Sequence, residues 1–272
     1  MKVISCRGHE LPIGDRTIIM GILNVTPDSF SDGGDYMTIA SAVQRARRMV
    51  AEGADIIDIG GESTRPGFAA VTEAEELRRV IPVIQALSAE INVPISIDTY
   101  KAEVARQALE AGAHIINDVW GGKADSHMAA VAAHYDSPFI LTHNRTNMEY
   151  MDFLTNVLAD LHESIELALE AGVRRENIIL DPGIGFAKTY EQNLQLMKHL
   201  RLIADIGYPV LLGTSRKSMI RTALGGVPPE DCLEGTAATI ALGIAQGCGL
   251  VRVHDVQAMK RVAVMTDAII RA

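Results

Sequence analysis

The sequence predicts an α/β chain folded as a single (β/α)8 TIM barrel with a short N-terminal hairpin, on three observations. Eight short apolar runs each end in polar or ionisable residues and then hand over to a helix-patterned stretch. A glycine recurs just ahead of several strands, in Glu52-Gly53-Ala54, Glu110-Ala111-Gly112-Ala113, Glu170-Ala171-Gly172-Val173 and Gln246-Gly247. Runs such as Ile178-Ile179-Leu180 and Val210-Leu211-Leu212 are continuously apolar, as expected for strands covered on both faces. Eight strand–helix units at this spacing suit a barrel whose chemistry lies at the carboxyl ends of its strands.

Residues 1–17 place Gly8, Pro12 and Gly14 between apolar stretches, the pattern of a hairpin set to close the barrel bottom. The barrel then occupies 18–272, with strands at 18–25, 54–61, 94–99, 114–119, 138–143, 178–184, 209–214 and 249–254. Between them, Ile39, Val43, Ala46 and Val50 form one helical stripe, and Leu154, Leu158, Leu161, Ile165 and Ala168 another. Such stripes pack a helix on the sheet. The recurring glycines fit left-handed residues that end each helix. Two connections, 25–34 and 60–68, are long and rich in breakers, which marks loops that bind or close over a site.

The 272 residues, 48% apolar and 22% charged, fit one domain of this size. Cys6, Cys232 and Cys248 lack metal-ligand or paired spacing and read as free thiols of a reducing compartment. With no signal-peptide or bilayer-length apolar segment, a cytoplasmic protein without a membrane partner is expected. A formal charge of −9 argues against a nucleic-acid partner. It leaves room for a small anion, because screening lets a few local cations dominate a pocket.

Period-two alternation selects the residues that face the lumen. Arg252 and His254 share one face of the last strand and Val251 and Val253 the other; Ser96 pairs with Asp98, Ile115 with Asn117, Ile179 with Asp181. Each has a plainer reading. Asp98 could cap the helix that begins near Lys101, Asp181 could serve the Pro182-Gly183 turn, and Asn117-Asp118 could hydrogen-bond a loop. Arg252 could pair with Asp58, and His143 and His254 could be satisfied barrel histidines. Arg216 and Lys217 stand where a helix begins, opposing its dipole; an anionic or electron-rich ligand would relieve them.

Met20-Gly-Ile-Leu-Asn-Val-Thr-Pro-Asp-Ser-Phe-Ser-Asp-Gly-Gly34 and Asp58-Ile-Gly-Gly-Glu-Ser-Thr-Arg-Pro-Gly67 are highly specific segments. With Ser96–Thr99, Asn117-Asp118, Asp181–Phe186, Gly213–Ser218 and Arg252–His254, they make the chain resemble the dihydropteroate synthase family over almost its full length. The resemblance implies a transferase of folate biosynthesis. It condenses (7,8-dihydropterin-6-yl)methyl diphosphate with 4-aminobenzoate, releasing diphosphate and 7,8-dihydropteroate. It implies Asp98, Asn117, Asp181, Phe186, Gly213 and Lys217 around the pterin. Asn24, Thr64, Arg65, Arg252, Val253 and His254 would meet the diphosphate, with Mg2+ on Asn24. Phe30, Thr64, Pro66, Phe186 and Ser218 would meet 4-aminobenzoate and its sulfonamide mimics.

Asp98, Lys217, Arg252 and His254 would act in an SN1-like displacement, and a homodimer is expected. Thr142 and Asn144 flank His143 where many members carry methionine, so packing around the pterin is expected to differ. Two other classes remain open: a corrinoid-type pterin-binding methyltransferase domain, and a non-catalytic pterin-binding barrel. Neither is expected to carry both long loops and a complete site.

Overall fold

The computed structural model describes residues 2–25, 39–62 and 71–272. Strands β1 (Lys2–Cys6) and β2 (His9–Ile13) form an antiparallel hairpin, turning at Arg7 and Gly8, both in the left-handed region. Eight parallel strands follow: β3 (Ile18–Asn24), β4 (Ile56–Gly60), β5 (Ile95–Asp98), β6 (Ile115–Asp118), β7 (Phe139–Thr142), β8 (Ile178–Asp181), β9 (Leu211–Leu212) and β10 (Leu250–Val253). Their order is β8-β7-β6-β5-β4-β3-β10-β9, and a bridge between Leu180 and Val210 joins the ends into a closed barrel.

The outer layer contains α1 (Ile39–Ala51), α2 (Glu73–Ser88), α3 (Ala102–Glu110), α4 (Met128–His134), α5 (Phe153–Glu170), α6 (Tyr190–Lys198), α7 (Arg201–Ala204), α8 (Ser218–Ala223), α9 (Leu233–Ala245) and α10 (Val256–Ile270). None of the described helices is long and apolar enough to cross a membrane. Gly53, Gly112, Gly172 and Gly247 all have φ between 94° and 115°, so the expected left-handed helix ends are present.

Two apolar regions hold the fold. The outer one lies between strands and helices and includes Ile19, Ile57, Ile97, Ile116, Leu141, Leu180, Leu212, Val251 and Val253. The inner one gathers Ile18, Met20, Ile56, Ile115, Ile140, Ile179, Leu211 and Leu250 with Ile4, Cys6, Leu11 and Ile13 of the hairpin. The hairpin therefore plugs the amino-terminal end of the barrel, as the sequence suggested. Above that layer the inward positions turn polar, because each strand continues its alternation past the last apolar residue.

Two details differ from the sequence reading. The buried face of α1 is Ala42, Ala46 and Met49, while Ile39 is exposed. Helix α1 lies close to β3, where a Cβ on Gly21 would come within 3.2 Å of Met49 Sδ; small alanines permit that approach and rotate the expected stripe. Strand β9 spans two residues rather than six. Pro209 accepts from Leu180 N but has no N–H to extend a ladder.

Candidate active site

Register sets the polar layer. Asn24 lies beside Gly60, Gly60 beside Asp98, and Asp98 beside Asn117; farther round, Thr142 lies beside Asp181. One step lower, Asp58 faces Ser96. All of these belong to the inward-facing set at the carboxyl end of the barrel.

Arg252 bridges this layer. Its Nε donates to Asp58 Oδ2 and its Nη2 to Asp98 Oδ2, both at 2.6 Å. Asn117 Nδ2 approaches the Asp58 carboxylate at 3.3 and 3.5 Å. Asp98 therefore orients Arg252 instead of capping a helix: α3 takes its first-turn contact from Asp125, whose Oδ2 accepts from Ala102 N. The expected pairing of Arg252 with Asp58 is present, and Asp98 joins it to make one shared ion triad. Burial pushes Asp98 up to about 7, Arg252 opposing and the Asp58 carboxylate adding to the rise. Its Oδ1 is buried without a partner among the described residues, an expensive state unless a donor arrives.

On the other side of the mouth, Asp181 Oδ1 accepts from Gly183 N at 2.7 Å. The turn-forming reading is thus correct for one oxygen. The other faces the space that Gly213 leaves open, where a Cβ would stand 3.6 Å from Asp181 Oδ2 and 3.9 Å from Arg252 Cβ. Burial raises Asp181, with Lys217 opposing. Lys217 is pulled down to about 8 by burial, against Asp181. Its ammonium donates to the Ile184 carbonyl and lies 4.2 Å from the Phe186 ring centroid, a cation–π arrangement.

Arg216 does not join it. Its guanidinium pairs with Asp255 at 2.7 and 3.1 Å, and α8 is only six residues long. The charge conflict expected at Arg216 is answered inside the protein. Ser218 begins α8 and is exposed.

His254 contacts Ser215, whose Oγ lies 2.9 Å from Nδ1 and accepts from His254 N at 3.2 Å. Val253 packs its side chain in the outer core, so only its main chain could meet a ligand. His143 is a satisfied barrel histidine: its Nε2 meets Asp160 Oδ2 at 2.9 Å and its Nδ1 meets Lys188 Nζ at 2.8 Å. Asp118 turns away from Asn117 and accepts from Trp120 N and Gly122 N, both at 2.8 Å, the loop role foreseen for it.

Phe30, Thr64, Arg65 and Pro66, with most of both long loops, lie outside the described residues. Sequence reasoning missed Lys188 and the Lys101–Glu62–Glu76 cluster. Lys101 Nζ reaches Glu62 at 2.5 Å and the buried Glu76 at 2.6 Å. A glutamate inside a helix and a lysine in a loop carry no local sign of burial.

The residues brought together are therefore three carboxylates (Asp58, Asp98, Asp181), two cations (Arg252, Lys217), one amide and one aromatic ring. Such a mouth can grip a flat heterocycle carrying both donors and acceptors. A model of the pterin binding enzyme family matches residues 20–254. The Clostridium beijerinckii dihydropteroate synthase is 58% identical over 272 residues, covering all of both chains. Clostridium difficile dihydropteroate synthase, crystallised in the presence of pteroic acid, has a TM-score of 0.94 and 53% identity, covering 96% of this chain and 100% of that one. Xanthomonas albilineans dihydropteroate synthase with 4-aminobenzoic acid also has a TM-score of 0.94, at 42% identity, covering 98% of this chain and 97% of that one. Matched across its whole length, the chain belongs to the dihydropteroate synthase family.

Proposed function

We propose that the protein is a transferase that condenses (7,8-dihydropterin-6-yl)methyl diphosphate with 4-aminobenzoate, releasing diphosphate and 7,8-dihydropteroate. The observation that carries this reading is the Asp58–Arg252–Asp98 triad facing Asp181 and Lys217 across one polar mouth. Asp98 Oδ1, Asp181 Oδ2 and the Asn117 amide offer acceptors and a donor to a pterin edge. The Phe186 ring offers a face, and Gly213 keeps the space open.

Arg252 binds Asp58 through Nε and Asp98 through Nη2, leaving Nη1 for a phosphate oxygen. His254, on the same face of β10's end, would meet the same group. Both contacts gain strength as charge builds on the departing diphosphate. Asp98 favours positive charge on the pterin methylene, and the amine then attacks a largely dissociated centre. The reading needs no covalent enzyme intermediate, because the amine itself attacks the pterin methylene.

Among the described residues no group of three His, Cys, Asp or Glu side chains could hold a metal. Asn24 fits Mg2+ in a different way. Its Oδ1 would lie 3.7 Å from a Cβ on Gly60, at the rim beside Asp98, as one neutral oxygen for an ion that keeps waters and substrate phosphate. When bound there, Mg2+ supplies positive charge to the leaving diphosphate. Thr64, Arg65, Phe30, Pro66 and Ser218 are assigned to the diphosphate and aminobenzoate ends by family resemblance, and Asn24, Val253 and His254 to the diphosphate.

A homodimer is supported by exposed apolar side chains on two adjacent helices, Leu233 and Leu242 of α9 and Val264, Met265, Ile269 and Ile270 of α10. Three buried free cysteines suit the reducing cytoplasm. The deciding experiment mixes both substrates with Mg2+ and measures diphosphate. Release that requires both substrates, one per dihydropteroate formed, is expected. Pterin binding without release would favour a non-catalytic barrel instead.

A further inference from the structure

Two lysines hold the turn that carries Phe186, through different main-chain carbonyls. Lys217 takes the Ile184 carbonyl and stands over the Phe186 ring. Lys188 is buried beneath the turn. Its Nζ donates to Gly183 O at 2.8 Å and to Phe186 O at 3.0 Å. It meets His143 Nδ1 at 2.8 Å, with the His143 carbonyl at 3.4 Å. Three acceptors at good distance fill the three donors of an ammonium.

The acceptor role of His143 Nδ1 places the ring proton on Nε2, which donates to Asp160 at 2.9 Å. Arg145 grips Asp160 in turn through Nε and Nη2 at 2.5 and 3.0 Å. Helix α5, strand β7 and the turn after β8 are thus linked by one polar chain that ends on two main-chain carbonyls. The turn has no slack against this support: Gly183 has φ +67°, and a Cβ there would stand 1.9 Å from the His143 carbonyl oxygen. Tyr150 adds a bond to the Ala187 carbonyl at 2.9 Å.

We propose that Lys188 is a positioning residue for the pterin site. Through the Gly183 and Phe186 carbonyls it fixes the turn bearing the Phe186 ring, so that Lys217 can leave the Ile184 carbonyl for a ligand without the ring shifting. The proposal rests on the reading that this mouth holds a pterin. Lys188 uses its donors on the turn and on His143, so its effect would pass through Phe186.

The test compares the parent, Lys188→Met, Phe186→Ala and the double variant in full-length protein, measuring kcat, KM and the Kd of the pterin diphosphate. Lys188→Met should raise KM and Kd about tenfold, the scale of a lost bond to a charged group, while kcat falls less than about threefold. In the Phe186→Ala background the same change should add less than about twofold, because the ring it serves is gone. Parental constants in Lys188→Met, or a full tenfold effect without Phe186, would overturn the proposal.

Should Lys188→Met fail to fold, Asp160→Asn weakens the same chain from its half-buried end. A rise of roughly three- to fivefold in pterin KM supports the proposal, and an unchanged KM refutes it. A parent that binds pterin diphosphate but releases none contradicts only the catalytic reading, and Kd then decides the role of Lys188. A parent that does not bind it contradicts both.

Discussion

Arg252 donates to Asp98 at 2.6 Å although β3 and β4 lie between their strands in the sheet. The guanidinium therefore crosses the lumen, and one side chain ties β10 to β4 and β5 at the level where the ligand would sit. Removing it leaves two carboxylates facing each other in a buried place.

Arg252→Met should accordingly lose about 3–5 kcal/mol of stability, the usual cost of breaking one side of a buried ion pair. The deficit has a pH dependence. A carboxylate raised above its unfolded value contributes most below that value and loses the contribution as pH climbs through the folded pKa. Asp98 is already raised to about 7, and losing Arg252 raises it further. Urea midpoints should keep a constant gap from the parent below about pH 7 and separate progressively above it, where the parent's Asp98 has ionised and the variant's still holds its proton. A gap that does not widen above about pH 7 would count against uncompensated Asp98 as the cause.

The same groups set a rate profile. Ionised Asp98 is needed at the pterin and the methylene, and the Lys217 ammonium at the ring edge. With Asp98 raised to about 7 and Lys217 lowered to about 8, kcat/KM should rise as pH passes about 7 and fall beyond about 8. Such a narrow bell reports the free enzyme. Asp98→Asn should remove the acid limb and Lys217→Arg should move the alkaline limb upward. A flat profile between pH 6 and 9 would separate these residues from the reaction.

If the diphosphate departs before the amine attacks, Asp98→Asn should lower kcat by roughly a hundredfold or more, as loss of a transition-state charge contact does. The Kd for the pterin diphosphate should change only a few-fold. Rapid-quench kinetics and equilibrium binding measure the two separately. Unchanged turnover would end the dissociative reading.

Sulfonamides should compete with 4-aminobenzoate and not with the pterin diphosphate, since they mimic the aromatic amine alone. Initial rates over a grid of both substrates would show this as a rise in the aminobenzoate KM at constant kcat. Non-competitive inhibition against 4-aminobenzoate would remove the proposed second subsite.

Gly183→Ala tests the tight turn. Left-handed geometry costs a non-glycine residue about 1 kcal/mol, and a Cβ 1.9 Å from the His143 oxygen forces the backbone to move. A loss of about 3 kcal/mol or more is expected by thermal or urea unfolding. Gly207→Ala, with φ +96° and open space around it, should show only the backbone part.

The barrel was legible because its cues are local and repeated: apolar runs, polar strand ends and glycine helix stops. Asp98, Asn117 and Asp181 could be read as inward from alternation alone, and the structure places them so. Asp58 could be read as another inward acid and a mate for Arg252, and the structure shows that pair. That Asp98 shares the same guanidinium was not legible, because β3 and β4 separate their strands. Lys188 was invisible too. Two of its acceptors, Gly183 and Phe186, are main-chain carbonyls of its own turn, and the third, His143, stands 45 residues away after the neighbouring strand β7. Main-chain acceptors leave no mark in side-chain patterning. Arg216 was misread because its answering charge, Asp255, lies 39 residues later on a neighbouring strand's exit.

The hairpin seals the barrel floor with Ile4, Cys6, Leu11 and Ile13, which makes the chamber a cul-de-sac. Whatever reaches the acids at its end must come and go through the same opening. A molecule seated deepest enters first and exits last, so a stopper at the far end of the protein imposes a queue on the traffic at its mouth.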